Sequence, residues 1–96
     1  MTKSTNPVAI ITGGSRGVGK ATALLLASKG WNITVTCTSS MRQAEKVVAL
    51  CQDLGVEAQA LQADVSDNQA CLNTVEQTLQ KWGRLDCLVN NAGTTK

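Results

Sequence analysis

Four short apolar runs recur along the chain, separated by longer stretches whose apolar positions return every third or fourth residue. Val8-Ala9-Ile10-Ile11 is unbroken, as expected of a strand buried on both faces. Ile33-Thr34-Val35-Thr36-Cys37 alternates and is β-branched. Residues 56–63 form a weaker run with alanines and glutamines mixed, and Cys87-Leu88-Val89 is short and apolar. Three helical patterns lie between these runs. The first covers residues 18–29, with Ala21, Leu24, Leu25 and Ser28 at helical spacing. The second places Ala44, Val47, Val48, Cys51 and Leu54 on one face, with Ser40 and Gln43 as a capping box. The third places Cys71, Leu72, Val75, Leu79 and Trp82 on one face, with Ser66 and Gln69 as its box. Each pattern stops at a glycine (Gly30, Gly55 and Gly83), the residue that takes a left-handed C-terminal cap without steric cost. The order is β-α-β-α-β-α-β. Strands alternating with helices imply right-handed crossovers and a parallel sheet. The pattern stops just after the fourth strand, where a doubly wound sheet normally continues, so a half-fold is expected.

The 96 residues amount to one small domain without linker, repeat or low-complexity stretch. Apolar residues at 43% against 17% charged can fill a core. No apolar run approaches the ~18 residues that cross a bilayer. The opening Met-Thr-Lys-Ser-Thr-Asn-Pro has no apolar signal region. The expectation is a cytoplasmic protein with no membrane partner. The four cysteines are widely spaced and there is no histidine, which excludes zinc-finger spacings and argues against a disulfide scaffold; no metal site is expected. They read as small buried core residues. Residues 1–44 carry five bases and no acid, whereas residues 45–96 carry four bases and seven acids. The first half is thus friendly to anions. A nucleic-acid partner is not expected, because Phe and Tyr are absent and bases would lack stacking platforms.

The first strand runs into Thr12-Gly13-Gly14-Ser15-Arg16-Gly17-Val18-Gly19-Lys20, a glycine-rich turn that opens a helix. Unpaired N–H groups and the positive end of the helix dipole meet there, and a phosphate satisfies both. Two ligand classes compete. Gly14-x-x-x-x-Gly19-Lys20 approaches a P-loop, but Ala21 stands where a Mg²⁺-binding hydroxyl is required. Thr22 lies about 100° further round the helix. The other class is a dinucleotide site, although the spacing is Gly13-x-x-x-Gly17-x-Gly19 and not G-x-G-x-x-G.

Thr12-Gly13-x-x-x-Gly17-x-Gly19 resembles the glycine motif of the short-chain dehydrogenase/reductase family. Asn90-Asn91-Ala92-Gly93 resembles its N-N-A-G, and Asp64-Val65 matches its adenine-contacting position. The motifs stand in order across essentially the whole chain. Residues 12–19 and Thr36-Cys37-Thr38-Ser39 look closest to its β-ketoacyl-[acyl-carrier-protein] reductases. The resemblance implies a Rossmann-type parallel sheet, truncated after the fourth strand, with residues 1–96 as an NADP(H)-binding half-domain. It implies that Gly13, Ser15, Arg16, Gly17, Val18 and Gly19 line the pyrophosphate and its ribose. Asp64 would accept from the adenine amino group, Val65 would touch the ring through its backbone, and Asn91, Ala92 and Gly93 would contact the nicotinamide-side ribose. Asn90 would tie neighbouring strands together. The plain alternatives are a helix-entry turn for Asp64, a strand-end turn for Asn91 and a solvated loop residue for Arg16.

Cofactor choice follows from charge. An NAD site places an acid near the end of the second strand. The stretch Cys37-Thr38-Ser39-Ser40-Met41-Arg42 has none. A carboxylate there would repel a 2′-phosphate, whereas the hydroxyls of Thr38 and Ser39 and the guanidinium of Arg16 would favour it. NADP(H) is therefore expected over NAD(H).

Members of the family move a hydride between the cofactor and a carbonyl or alcohol, with Tyr, Lys and Ser from the fold's second half. This chain has no Tyr. The resemblance therefore implies an inactive half of an NADP-dependent oxidoreductase. The parent would act on a small-molecule or acyl-thioester substrate and form a homo-oligomer. The alternatives that remain are a non-catalytic NADP(H)-binding or regulatory module and a P-loop nucleotidase. The fourth strand would present an apolar sheet edge, which invites pairing with other chains.

Overall fold

The computed structural model describes residues 4–14, 17–39, 41–64 and 66–91. Seven elements follow in the expected alternation: β1 (Val8–Thr12), α1 (Gly17–Ser28), β2 (Asn32–Cys37), α2 (Met41–Asp53), β3 (Ala58–Gln62), α3 (Asn68–Trp82) and β4 (Cys87–Asn90). The four strands form one parallel sheet in the order β3-β2-β1-β4. The chain winds outward from β1 through β2 to β3 and then returns to the other side of β1. Right-handed crossovers therefore put α1 and α2 on one face and α3 on the other.

β1 is central, and Val8, Ala9, Ile10 and Ile11 are all buried, as their unbroken apolar run requires. On the first face Ala9, Ile11, Ile33, Val35 and Cys37 pack with Ala23 and Ala27 of α1 and Ala44, Val47 and Cys51 of α2. The second helix buries the expected face except at its end, where Leu54 is exposed. Gly30, Gly55 and Gly83 all have positive φ at the helix ends, so the three stop signals act as read. Their N–H groups close the last turns on Ala27, Gln52 and Leu79 carbonyls.

Two helix faces differ from expectation. In α1 the buried stripe is Gly19, Ala23 and Ala27, while Leu25 is exposed, Leu24 is half-buried, and Ala21 and Ser28 face outward. Three small residues at intervals of four let the helix axis approach the sheet closely, so small size outweighs hydrophobicity in choosing the face. In α3 the buried stripe is Thr74, Thr78 and Trp82; Leu72 and Leu79 are exposed, and Cys71 and Val75 are half-buried. Threonine tolerates burial here because each hydroxyl bonds to the carbonyl one turn back, Thr74 to Ala70 at 2.9 Å and Thr78 to Thr74 at 2.8 Å.

The cap of α3 also differs. Asp67, not Ser66, accepts from the N–H groups of Gln69 and Ala70. Ser66 is engaged elsewhere, by Asp64, and the Gln69 side chain donates to Asn73. The Ser40 cap lies outside the described residues. Cys37 and Cys51 are buried core residues, but Cys71 and Cys87 are only half-buried, which corrects the reading of all four as core. Burial pushes the Cys51 thiol pKa up, which keeps it protonated and inert.

Candidate functional site

In an open parallel sheet, the strands' C-terminal ends part where the winding reverses, and a ligand crevice opens there. In this chain the reversal falls at β1, between β2 and β4. Thr12 ends β1, Cys37 ends β2, Gln62 ends β3 and Asn90 ends β4. The residues singled out from the sequence follow these four ends.

The glycine loop is anchored on both sides before any ligand is considered. On the β4 side the Thr12 hydroxyl accepts the Asn91 N–H at 2.9 Å and donates toward Asn90 Oδ1 at 3.2 Å. Asn90 thus joins β1 and β4 through its side chain, consistent with the strand-tying role. Asn91 Nδ2 donates to the Gly13 carbonyl at 3.4 Å. On the β2 side the Gly14 N–H donates to the Thr36 carbonyl at 3.2 Å, and the Gly13 N–H reaches the Thr36 hydroxyl at 3.4 Å.

The glycines divide by what surrounds them. A Cβ on Gly19 would fall on the Gly13 carbonyl oxygen and lie 2.7 Å from Asn91 Nδ2, so Gly19 is required by the packing of α1 on the loop. A Cβ on Gly14 would lie 2.7 Å from Val35 Cγ1. Gly17, by contrast, sits at φ +62° at the first position of α1 with nothing within 4 Å of a would-be Cβ. Gly13 and Gly14 spend their amides inside the fold. The helix leaves the first-turn N–H groups of Gly17, Val18 and Gly19 without intrahelical partners. Val18 is exposed beside them. A helix start whose first-turn amides have no partner within the helix, beside exposed Gly17 and Val18, fits the diphosphate of a dinucleotide.

Thr38 and Ser39, at the end of β2, are exposed, and Gln62 Nε2 donates to the Thr38 carbonyl at 2.9 Å. Asp64 is exposed beyond β3. Its Oδ1 accepts the Ser66 N–H at 2.9 Å and the Ser66 hydroxyl at 2.7 Å, and these two bonds hold its carboxyl below the ordinary pKa of 3.8. Asp64 therefore stays ionised and can only accept. Arg42 is exposed on α2. Ser15, Arg16, Val65, Ala92 and Gly93 lie outside the described residues.

The structure thus joins Gly13, Gly19 and Asn91 in direct contact, and Gly17, Val18, Thr38, Ser39 and Asp64 are exposed just past the ends of β1, β2 and β3. Sequence reasoning missed Gln62, gave Thr36 no role in the site, and took Ser66 only as a helix cap. The only available signal for Thr36 was its place at the end of an alternating strand, and Gln62 carried none. On the α3 side, a cavity of about 140 Å³ runs between Ile10, Thr36, Val75 and Leu88. Among the described residues no cluster of Cys, Asp or Glu could hold a metal ion, and no helix is long and apolar enough to cross a membrane.

Known proteins share this arrangement. Residues 7–96 match the short chain dehydrogenase family. A 3-oxoacyl-[acyl-carrier-protein] reductase of Synechocystis is 46% identical over all 96 residues, which span 39% of that protein. The short-chain dehydrogenase/reductase homolog YusS of Bacillus subtilis is 38% identical over 91 residues, 95% of this chain and 84% of its own. The crystal structure of a short-chain dehydrogenase/reductase from Burkholderia xenovorans superposes with a TM-score of 0.91 at 38% identity, covering 98% of this chain and 39% of that one. The chain therefore spans about two fifths of the length of the reductase it matches.

Proposed function

Because this chain belongs to the short-chain dehydrogenase/reductase family, we propose that its 96 residues are the NADP(H)-binding half-domain of an oxidoreductase. The observation that carries this reading is the pair of differently used glycines. A Cβ at Gly19 would meet the protein's own Gly13 and Asn91, whereas at Gly17, the first residue of α1, it would meet nothing within 4 Å among the described residues, at a helix start whose first amides have no partner within the helix. NADPH, when bound, supplies a hydride to a carbonyl. The chain's part is to bind and orient. Gly17, Val18 and Gly19, with Ser15 and Arg16, hold the diphosphate. Asp64, ionised, accepts from the adenine amino group, with the Val65 backbone against the ring. Asn91, fixed by Thr12 and Gly13, supports the nicotinamide-side ribose with Ala92 and Gly93.

NADP(H) is favoured over NAD(H) because residues 37–42 contain no acid. A carboxylate there would accept from a ribose 2′-hydroxyl and repel a 2′-phosphate. Thr38 and Ser39 offer hydroxyl donors, and Arg16 a guanidinium. The proton donor for carbonyl reduction is not on this chain, which has neither Tyr nor His. Hydride transfer, with a 3-oxoacyl thioester as substrate, and homo-oligomeric assembly belong to the parent protein in this reading, and its location is the cytoplasm.

Calorimetric titration of the chain with NADPH and with NADH tests the proposal. NADPH is expected to bind at least about tenfold more tightly, as one charge-assisted phosphate contact implies. Equal affinity overturns the choice of cofactor, and absence of binding by either overturns the dinucleotide reading. No NADPH oxidation is expected when a 3-oxoacyl thioester is added to the chain alone.

A further inference from the structure

Carbonyls along an extended strand point alternately to its two neighbours. The end of β2 keeps this rule for two residues and then breaks it. The Thr36 carbonyl faces β1, where it accepts the Gly14 N–H at 3.2 Å. The Cys37 carbonyl faces β3, where it accepts the Ala63 N–H at 2.9 Å. The next carbonyl, Thr38, should face β1 and the glycine loop again. It is instead taken at 2.9 Å by Nε2 of Gln62, a side chain rooted on β3 directly opposite Cys37.

The consequence is electrostatic. A carbonyl oxygen aimed at the glycine loop would present its negative end to any phosphate held between the loop and β2. Drawn toward β3, it does not. The described backbone holds no cis peptide, and in a trans peptide plane C=O and N–H point in opposite directions. The peptide that gives its Thr38 carbonyl to Gln62 therefore points its Ser39 N–H the opposite way, away from Gln62.

We infer that Gln62 is a positioning residue for cofactor selectivity: by hooking the Thr38 carbonyl it aims the Ser39 backbone N–H at the extra phosphate of NADP(H). The inference rests on the proposed cofactor site but adds a donor and its support. Hydroxyls at residues 38 and 39 rotate freely, whereas a peptide N–H held from behind is preorganised and loses little entropy on binding. Gln62 is exposed, so its amide is not needed to fill a core.

The test compares the wild-type chain with Gln62→Leu, which keeps the side chain's bulk and removes the donor. NADPH and NADH are titrated, and the Ser39 amide 1H and 15N shifts are followed by NMR in the unliganded chain. Loss of one hydrogen bond to the loop should weaken NADPH about 5- to 10-fold and NADH less than about 2-fold. The Ser39 amide resonance should move, because its peptide loses the bond at the Thr38 carbonyl, while the amides of β1 and α2 stay unchanged. Equal weakening of both cofactors, or an unmoved Ser39 resonance, overturns the role of Gln62. A wild-type chain with no preference for NADPH sinks the NADP(H) reading instead. The Ser39 resonance then decides by itself whether Gln62 sets the loop.

Discussion

The two faces of the sheet are built on different principles. The face under α1 and α2 is closed and aliphatic: Ala9, Ile11, Ile33, Val35 and Cys37 meet Ala23, Ala27, Ala44, Val47 and Cys51, all at most 4% exposed. The face under α3 is joined by hydrogen bonds and left partly open. Gln59 Nε2 donates to the Thr34 hydroxyl at 2.9 Å, and the hydroxyls of Thr34 and Thr78 lie 3.0 Å apart. The Thr78 proton is committed to the Thr74 carbonyl, so Thr34 must be the donor to Thr78. Beside this chain of bonds lies the 140 Å³ cavity; Leu88, which lines it, is exposed, as are Leu72 and Leu79 of α3. The lesson is that one face derives its stability from close shape matching and the other from directional satisfaction of buried polar atoms. A substitution should be felt according to which principle it violates.

The largest expected effect contrasts two adjacent isoleucines of β1, both fully buried but pointing to opposite faces. Ile11→Ala leaves a void among close-packed side chains that cannot collapse, and should cost about 4 kcal/mol. Ile10→Ala enlarges a cavity already present on the other face, so its cost should be nearer about 2 kcal/mol. Urea unfolding of both variants measures the difference. Equal losses would mean that the α3 face is as tightly filled as the other.

Next in size is Thr34→Val. The shape is kept, but the Gln59 amide loses its acceptor and Thr78 its donor. The loss should be about 1–3 kcal/mol, with Thr34→Ser recovering most of it. A neutral Thr34→Val would show that hydrophobic contact alone holds α3 on the sheet.

The same contrast explains what was legible in the sequence. Element order and the parallel sheet followed from spacing, and Gly30, Gly55 and Gly83 marked the helix ends by their conformational freedom. The closed face was legible in β1, β2 and α2, where hydrophobicity and burial coincide. It was misread in α1, where Gly19, Ala23 and Ala27 are chosen for size. The α3 face was misread because Thr74 and Thr78 hide their polarity in their own helix's carbonyls, which a count of apolar residues does not register. In the site, Gly13, Gly17, Gly19 and Asn91 stood out through motif spacing. Gln62 did not, because its bond depends on the register that places it opposite Cys37. No local pattern encodes that register.

The smallest expected effect lies where the chain crosses from the sheet to α3. Asp64 and Ser66 were two separate candidates in the sequence, and the structure couples them, releasing the cap to Asp67. The Ser66 bonds lower the Asp64 pKa, so folding favours the ionised carboxylate. Its stabilising contribution is complete above the ordinary value of 3.8 and is lost as pH falls through the lower, folded-state value. Exposure to solvent keeps this contribution small. In Ser66→Ala the hydroxyl bond is gone and the backbone bond remains, so the Asp64 carboxyl should titrate at higher pH than in the wild type, yet below 3.8. NMR titration of the Asp64 side-chain carbon reads this directly. An unchanged midpoint would assign the whole shift to the Ser66 N–H and leave the hydroxyl without a role in holding Asp64 ready for an adenine amino group.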